Sequence, residues 1–480
     1  MNKRMILRIL GIVLMLEAAF LLLPVLVAVI YRERAGWYYL YTALGCAALG
    51  LILWRGCRTS LQTIYAREGL VTVALCWIVL SLAGALPFTL CGDIPYYLDA
   101  VFEMVSGFTT TGSSILPNVE ALNHCSLFWR SFSHWIGGMG ILVFMLAIVN
   151  MEGGQAIHLL RAESPGPSVS KMVPRMADSS KILYTIYIAL TAVEIVFYLA
   201  GGMPLFDSLC NAFGTAGTGG FSIRADSFAG YGYYFQTVTT VFMALFGVNF
   251  SIYFFMLRRK WGLVWHNSEL RWYVGIILGS IVLITLNILP MYPRVYDALH
   301  HAAFSVSSLI TTTGYCTENF DLWPEFSRVI LVFLMLVGAC AGSTGGGLKV
   351  SRLVILVKAM GNEMRMLIRP HTVKVITIDG KRVDADAVRA VSSYFLIYVL
   401  LTLVSILLVS LDNFDASTTI TAVFATFNNI GPGLGLVGPV GNFAMFSPLS
   451  KIVLTLDMLF GRLELYPMLV LLYPGTWRRK

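Results

Sequence analysis

Charged residues are scarce in this sequence. Only 12% of its 480 residues are charged and its mean hydropathy is +0.75, whereas soluble globular proteins carry roughly twice that charged fraction. An ordinary soluble domain is therefore excluded. The net charge of +8 comes from basic clusters between apolar stretches, so we interpret it as loop topology rather than as a nucleic-acid-binding surface. No nucleic-acid partner is expected.

Signatures of catalysis and of metal or nucleotide binding are also missing. The eight cysteines have no paired metal-ligand spacing, and no His, Asp and Ser cluster lies within the apolar stretches, so an enzyme is not predicted. No GxGxxG follows a soluble strand, which means that any nucleotide control must come from a partner. The pair His300-His301 leaves two interpretations open, a metal site or satisfied packing, and packing is the commoner outcome.

Ten apolar stretches are long enough to cross a bilayer, which takes about 20 residues per helix. They lie near residues 5–30, 37–54, 70–90, 127–149, 182–200, 233–257, 272–289, 327–356, 391–409 and 449–472. With ten crossings, nearly all the basic loops share one side, and Arg32 and Arg34 are the exceptions. The positive-inside rule then places both termini in the cytoplasm.

Four short turns interrupt this apolar background, each with a glycine among small or polar residues. Glycine lets a backbone approach a ligand closely, and four such turns at membrane depth would form a ring of carbonyls that replaces the water shell of a cation. The turns are Thr109-Thr110-Thr111-Gly112-Ser113, Thr218-Gly219-Gly220-Phe221-Ser222, Thr311-Thr312-Thr313-Gly314-Tyr315 and Asn428-Asn429-Ile430-Gly431-Pro432.

An aspartate precedes the glycine of each turn by a dozen or more residues: Asp99, Asp207, Asp297 and Asp415. Aspartate is a good helix N-cap, and the stretch from aspartate to glycine is too short to span a bilayer. The pattern predicts four half-membrane helices whose negative ends face a water-filled cavity and favour a cation. The alternative is that the glycines only allow helices to pack closely. Four repeats of the same order favour the filter.

The order of outer helix, pore helix, filter loop and inner helix resembles the superfamily of Trk, Ktr and HKT potassium transporters. An extra N-terminal helix pair narrows the resemblance to bacterial Trk membrane subunits of the TrkH type. So do three motifs, which are residues 133–140 (SHWIGGMG), 341–347 (AGSTGGG) and 461–464 (GRLE). The resemblance implies an all-α polytopic membrane protein with four pseudo-repeats around one pore. The implied divisions are 1–66 (helix pair), 67–160, 161–260 and 261–365 (repeats 1 to 3), and 366–480 (cytoplasmic hairpin and repeat 4).

The resemblance also implies gated potassium uptake across a bacterial inner membrane, with rubidium permeant and no covalently bound cofactor. It matches the four filter glycines to Gly112, Gly219, Gly314 and Gly431. The implied filter residues are Thr110, Thr111, Gly112, Thr218, Gly219, Gly220, Thr312, Thr313, Gly314, Asn429, Ile430 and Gly431. Potassium would contact Thr110, Thr111, Thr218, Gly219, Thr312, Thr313, Asn429 and Ile430. Repeat 4 has no threonine before its glycine, so its coordinating oxygens stay open.

A gate is expected at residues 342–347, which we call the glycine-rich segment: Gly342, Ser343, Thr344, Gly345, Gly346 and Gly347. Glycines cost about 1 kcal/mol each inside a helix, so the run predicts an unwound intramembrane loop with Lys349 at its end. Arg462 lies near the middle of the last stretch, where a lone charge is costly. Either an ion pair holds it, or, as the resemblance implies, it lies below the filter and opposes cation passage. Glu103 either supports the filter or pairs with Arg130.

Asp379-Gly380 within residues 368–390 predicts a cytoplasmic β-hairpin, formed by residues 373–378 and 382–383. The resemblance adds a homodimer, contact with membrane lipid, and a TrkA-like nucleotide-binding regulatory subunit docking at this hairpin. The main alternative is a secondary cation symporter coupled to H⁺ or Na⁺. A symporter built from inverted repeats would have units facing opposite ways, whereas these four share one order.

Overall fold

The computed structural model describes residues 2–57, 65–140, 176–369 and 375–478. In these ranges the regular secondary structure is helical apart from one short β-hairpin. The helices of repeat 1 and its preceding pair are α1 (Lys3–Tyr31), α2 (Gly36–Gly56), α3 (Ala66–Cys91), α4 (Tyr97–Phe108) and α5 (His124–Met139). Repeat 2 has α6 (Met176–Ala200), α7 (Leu205–Gly217), α8 (Tyr233–Phe246) and α9 (Phe250–Leu257). The short α10 (Trp261–Trp265) leads into repeat 3, with α11 (Ser268–Ile288), α12 (Val295–Ile310), α13 (Glu325–Val337) and α14 (Val350–Ile368). Repeat 4 has α15 (Ala385–Val409), α16 (Ala416–Phe427), α17 (Pro448–Arg462) and α18 (Tyr466–Leu472).

The four units share one order of elements, as predicted. A long apolar outer helix (α3, α6, α11 or α15) is followed by a short helix (α4, α7, α12 or α16), a loop and an inner helix. The short helices have 12, 13, 16 and 12 residues. At 1.5 Å per residue they extend roughly 18–24 Å, which is less than the hydrocarbon thickness of a bilayer.

The outer helices and the N-terminal pair are long and apolar enough to cross a membrane. Six such spans occur in the described ranges: Lys3–Tyr31, Gly36–Gly56, Ala66–Cys91, Lys181–Ala200, Ser268–Met291 and Ala385–Asp412. In the N-terminal pair, α1 and α2 meet at Gly11 and Gly50. A Cβ on Gly11 would lie 2.7 Å from the Gly50 carbonyl oxygen, so only glycine permits this close crossing.

The inner helices of repeats 2, 3 and 4 are interrupted, and two of the predicted continuous spans are wrong. The span at 233–257 is two helices bent by 90°, where Asn249 caps α9 by accepting from Ser251 N. The span at 449–472 breaks after Arg462, because Glu464 and Leu465 take positive φ angles of 53° and 65°. Apolar composition alone does not reveal either break. The part of span 127–149 beyond residue 140 lies outside the described residues.

The span at 327–356 is interrupted as the glycine run predicts. Helix α13 ends at Val337 and α14 begins at Val350, so the glycine-rich segment lies in a non-helical connection. Helix α14 then continues to Ile368, so the predicted boundary between residues 365 and 366 falls inside a helix.

The pore helices begin differently from the prediction. Only Asp415 is an N-cap, accepting from Thr418 N. The other three aspartates lie within the first turn of their helices, where a negative charge still complements the positive helix end. Asp99 instead binds Lys451 Nζ at 2.7 Å, which joins repeats 1 and 4.

The predicted hairpin is present and shorter than expected. Strands β1 (Thr377–Ile378) and β2 (Lys381–Arg382) pair antiparallel around Asp379 and Gly380, whose φ angles are 52° and 74°. Two positive φ values are the requirement of a tight hairpin turn. Residues 373 and 374 lie outside the described part of the chain. Asp379 Oδ1 accepts from Ser268 N at 2.6 Å, so the hairpin rests on the start of α11.

Candidate ion-conduction site

The four filter loops have the same backbone conformation. In each loop, one residue after the pore helix takes a left-handed φ of 54–61°, and the glycine two residues later has a φ of 74–101°. The intervening N–H group bonds back into the pore helix at 2.8–2.9 Å. These bonds are Thr111 N to Ser106 O, Gly219 N to Gly214 O, Thr313 N to Ser308 O and Ile430 N to Ala425 O.

This conformation corrects the alignment of the second loop. The first residue of the pattern is Thr110, Thr218, Thr312 or Asn429, and the glycine is Gly112, Gly220, Gly314 or Gly431. Gly220, rather than the predicted Gly219, therefore corresponds to the other filter glycines. Gly219 corresponds to Thr111, Thr313 and Ile430. Its small size serves another purpose, because a Cβ there would overlap the His134 ring.

The loops close into a ring in chain order. A Cβ on Gly112 would overlap the Gly219 carbonyl oxygen, and Cβ atoms on Gly220 and Gly314 would overlap those of Thr313 and Ile430. A Cβ on Gly431 would lie 2.9 Å from the Thr111 carbonyl oxygen. Each glycine thus touches the carbonyl that precedes the glycine of the next repeat, and repeat 4 returns to repeat 1.

The ring oxygens are free to face a cation. Within the described ranges, no hydrogen-bond donor reaches the carbonyl oxygens of Thr111, Gly219, Thr313 or Ile430. The four glycines also line a vestibule of about 170 Å³ on one side of the ring. Unpaired buried carbonyls are costly, unless they coordinate an ion as filter carbonyls do.

The ion pair of Glu103 and Arg130 stabilises the ring of loops on the side that faces the vestibule. Arg130 Nε donates to Glu103 Oε1 at 2.5 Å, and Arg130 also donates to Ser222 O at 2.9 Å. Glu103 accepts from Ser114 Oγ and Ile115 N, both at 2.9 Å. The two interpretations of Glu103 therefore hold together: it pairs with Arg130, and the pair ties loop 1 to loop 2.

The glycine-rich segment packs against the other side of the ring. Gly346 N donates to Thr312 Oγ1 at 2.6 Å, and Gly347 N donates to Asn428 O at 3.1 Å. A Cβ on Gly345 would lie 2.8 Å from the Thr311 carbonyl oxygen. The segment thus contacts loops 3 and 4 through its own backbone, which only small residues allow.

Arg462 joins the glycine-rich segment to loop 1. Its guanidinium donates to Thr344 O at 2.9 Å, to Thr110 Oγ1 at 3.2 Å and to Gly138 O at 2.8 Å. It is positioned at the end of α17 by the break that follows. Glu464 turns away from it and pairs with Arg352 on α14, so the sequence neighbour of Arg462 is not its partner.

Two further groups hold the segment in place. Lys349 Nζ donates to Gly345 O, and Lys349 is buried. Glu269 on α11 accepts from Ala341 N at 2.6 Å and from Ser351 N at 3.1 Å, which clamps both ends of the break. Glu269 is a residue that sequence reasoning missed, because an acid in the first turn of a helix is the ordinary pattern.

His134 is also a missed residue. It lies in the motif at residues 133–140, and its Nε2 accepts from Phe221 N at 3.2 Å. Nδ1 therefore carries the proton and donates to Gly107 O at 2.7 Å, which links pore helix α4 to loop 2. By contrast, His300 and His301 are packed: they bond to Gln236 and Thr317. In the described ranges no metal-ligand cluster is present.

Three buried carboxyls within the helices have oxygens without a hydrogen-bond donor in the described part of the chain. Glu17 in α1 has two such oxygens, and Glu194 in α6 and Asp457 in α17 have one each. The remaining oxygen of Glu194 accepts from Tyr198 OH at 2.9 Å, and that of Asp457 accepts from Ser405 Oγ at 2.6 Å. An isolated ionised carboxylate is costly in such a place.

Four re-entrant repeats around a ring of carbonyls define a polytopic cation transport protein. Comparison with known proteins agrees: a family model described as TrkH, cation transport protein, matches residues 40–475. The chain belongs to this family. It is 38% identical to the Trk system potassium uptake protein TrkH of Salmonella typhimurium and 37% identical to that of Escherichia coli K12, in each case over 100% of both chains. It is also similar to the crystal structure of the potassium transporter TrkH from Vibrio parahaemolyticus, with a TM-score of 0.89 and 35% identity over 100% of both chains.

Proposed function

We propose that this chain takes up potassium across a bacterial inner membrane through one pore formed by its four repeats. The closed ring of Thr111, Gly219, Thr313 and Ile430 carbonyls carries this proposal. Relatives named as potassium uptake proteins along the full length support it. Potassium is the transported ion, and rubidium, similar in size, is expected to permeate.

The proposed potassium sites use two carbonyl levels. One level is the ring itself, and the other is formed by Thr110, Thr218, Thr312 and Asn429. The pore helices end at these loops, so the negative ends of four helix dipoles add to the attraction for a cation. Selectivity over sodium then depends on the spacing that the glycines permit.

The proposed gate is the glycine-rich segment with Lys349 and Arg462. Two cationic side chains next to the filter oppose the entry of potassium, because like charges repel strongly where water is excluded. The segment has few side chains to lock its conformation, so alternative arrangements differ by little free energy. A partner that binds one arrangement better would open or close the pore.

We further propose a TrkA-like nucleotide-binding partner at the β1–β2 hairpin, a homodimer, and both termini in the cytoplasm. The hairpin is suited to transmit a signal because Lys358 of α14 donates to Thr377 O at 2.8 Å. Helix α14 begins at Val350, just after the glycine-rich segment and Lys349. Basic residues of the loops on this side favour the cytoplasmic assignment.

The test is rubidium and sodium uptake by liposomes that contain the purified chain. We expect rubidium uptake that an outward potassium gradient drives and that external potassium inhibits, with little sodium uptake. Equal rubidium and sodium uptake would contradict the proposal. Adding the partner with and without nucleotide should change the rate, and the absence of any change would contradict the regulatory part alone.

Coupling to protons is a second candidate, favoured by one observation. The buried carboxyls of Glu17, Glu194 and Asp457, each with at least one oxygen that no described donor reaches, are groups that can gain and lose protons within a membrane. If transport is coupled, a pH gradient without a potassium gradient should drive rubidium against its concentration, and Asp457→Asn should abolish this. If only an electrochemical gradient of potassium drives uptake, the pore is passive. Sodium coupling is tested by the same assay with a sodium gradient.

A further inference from the structure

A groove between α11 and α14 has the features of a lipid site. Its volume is about 580 Å³, and Ser268, Arg271, Trp272, Gly275, Ile276 and Lys358 line it. Since a water molecule in the liquid occupies about 30 Å³, the space suits a phospholipid headgroup and the start of its chains. We propose that this groove binds the headgroup of an anionic phospholipid.

The groove lies at the level of a membrane–water interface. Ser268 begins the apolar span Ser268–Met291, and the connection just before it carries the basic run Arg258, Arg259 and Lys260. The tryptophans Trp261, Trp265 and Trp272 are exposed by 49%, 72% and 45%. Exposed tryptophans beside basic residues at the end of a span are typical of the interfacial region.

The charge of the groove favours an anion. Arg271 and Lys358 are its basic lining residues, and none of the described residues that line it is acidic. Glu269 accepts from the backbone of Ala341 and Ser351, and Asp379 accepts from Ser268 N and from Asn267 Nδ2. In the described ranges Arg271 forms no ion pair with an acidic residue. Basic pockets between membrane helices on the cytoplasmic side suit anionic headgroups.

The shape of the groove favours a lipid over a soluble anion. After Arg271, the lining continues along α11 toward its C-terminus as Trp272, Gly275 and Ile276. The space over Gly275 is open, because a Cβ built there has no heavy atom within 4 Å. A phosphate group would lie between the two basic side chains while an acyl chain follows this apolar track. A soluble phosphate would leave the track empty.

The site also lies close to the gate. Glu269, two residues before Arg271, clamps both ends of the non-helical connection, and Lys358 belongs to the helix that follows it. A lipid that draws α11 and α14 together would therefore stabilise the arrangement in which the glycine-rich segment contacts the filter.

The experiment is native mass spectrometry of the full chain titrated with phosphatidylglycerol or phosphatidylcholine. We expect one phosphatidylglycerol to bind in preference to phosphatidylcholine. Because each basic residue near a membrane surface contributes about 1 kcal/mol to binding an anionic lipid, the double variant Arg271→Gln, Lys358→Gln should weaken it roughly 30-fold. The matched control Arg389→Gln, Arg478→Gln removes two exposed charges outside the groove and should leave it unchanged. Gly275→Trp, which fills the track and keeps both charges, should also reduce binding.

Three results would overturn the proposal. The first is unchanged phosphatidylglycerol binding in both groove variants. The second is full displacement of the lipid by glycerol phosphate, which would show a soluble-anion site. The third is an efficient disulfide between Gly275→Cys residues of two copies, which would show that a second chain fills the groove.

Discussion

The tandem glycines of loop 2 have different tasks. Gly220 has a φ of 74° and faces the Thr313 carbonyl, whereas Gly219 faces the His134 ring. The sequence could not distinguish them, because either glycine satisfies the pattern of a turn after a pore helix. Only the dihedral angles and the contacts across the ring show which one corresponds to the glycines of the other three loops.

The two glycines can be separated by a double-mutant cycle with His134→Ala. In the wild type, Gly219→Ala and Gly220→Ala should both abolish selective rubidium uptake. In the His134→Ala background, adding Gly219→Ala should reduce selective rubidium uptake little further, since the imidazole ring that the new Cβ would overlap is gone. Adding Gly220→Ala should abolish selective uptake in this background too, because its Cβ would overlap the Thr313 carbonyl oxygen, which the His134 substitution leaves in place. Equal rescue of both variants would contradict the corrected alignment.

Arg462 combines a charge with four hydrogen-bond acceptors around it, which are the Thr110 hydroxyl and the carbonyl oxygens of Gly137, Gly138 and Thr344. Two substitutions separate these roles. Arg462→Ala should raise potassium flux, because a unit charge a few Å from the path is worth a few kcal/mol at an effective dielectric constant near 20. Arg462→Lys keeps the charge and loses the forked geometry, so flux should stay low if charge is the barrier. Decreased flux in well-folded Arg462→Ala would instead indicate a structural role.

Among the helices and loops, the sequence predicted the features that depend on local composition. The outer helices, the short pore helices and the break at the glycine run all follow from apolar length and glycine content. The 90° bend at Gly247–Asn249 and the break after Arg462 were missed, because each stretch as a whole is apolar enough for one span, and its few polar residues do not by themselves show where the helix ends. Both are fixed by distant contacts, such as Phe250 N to Gly342 O at 3.0 Å.

Gly346→Ala tests the contact between the glycine-rich segment and the filter. A Cβ at this position would overlap the Asn428 carbonyl oxygen, so the segment must move away from loop 4. We expect higher potassium flux without the partner and a weaker response to it, measured in liposomes. Gly361→Ala in α14 is the matched control, since a Cβ there meets no atom within 4 Å. Wild-type flux in Gly346→Ala would show that the gate lies elsewhere.

Glu269→Ala tests the clamp at the two ends of the connection. Removing the carboxylate leaves the N–H groups of Ala341 and Ser351 without their acceptor, at a cost of about 1–3 kcal/mol if they stay buried. The resting arrangement should be destabilised, and basal flux should rise. Glu325→Ala, an exposed first-turn acid of α13, should have no such effect. An unchanged basal flux with a lower thermal midpoint would indicate that the clamp serves folding only.

At the scale of the whole molecule, the resemblance predicted four repeats around one pore, and the structure adds how they are joined. The cyclic order of glycine-to-carbonyl contacts depends on residues 93 to 320 positions apart in the sequence, which no local pattern encodes. The same holds for the Asp99–Lys451 pair that closes repeat 4 onto repeat 1. The sequence predicted the four repeats. Packing between the repeats determines which glycine contacts which carbonyl.

The most direct test of the fourfold filter is the rubidium-to-sodium flux ratio of four serine variants measured in one liposome assay. Gly112→Ser, Gly220→Ser, Gly314→Ser and Gly431→Ser each place a side chain against the ring at a position of positive φ. If all four loops form one filter, each variant should lower the ratio while the protein stays folded. A wild-type rubidium-to-sodium ratio in any of the four variants would contradict a filter formed by all four loops.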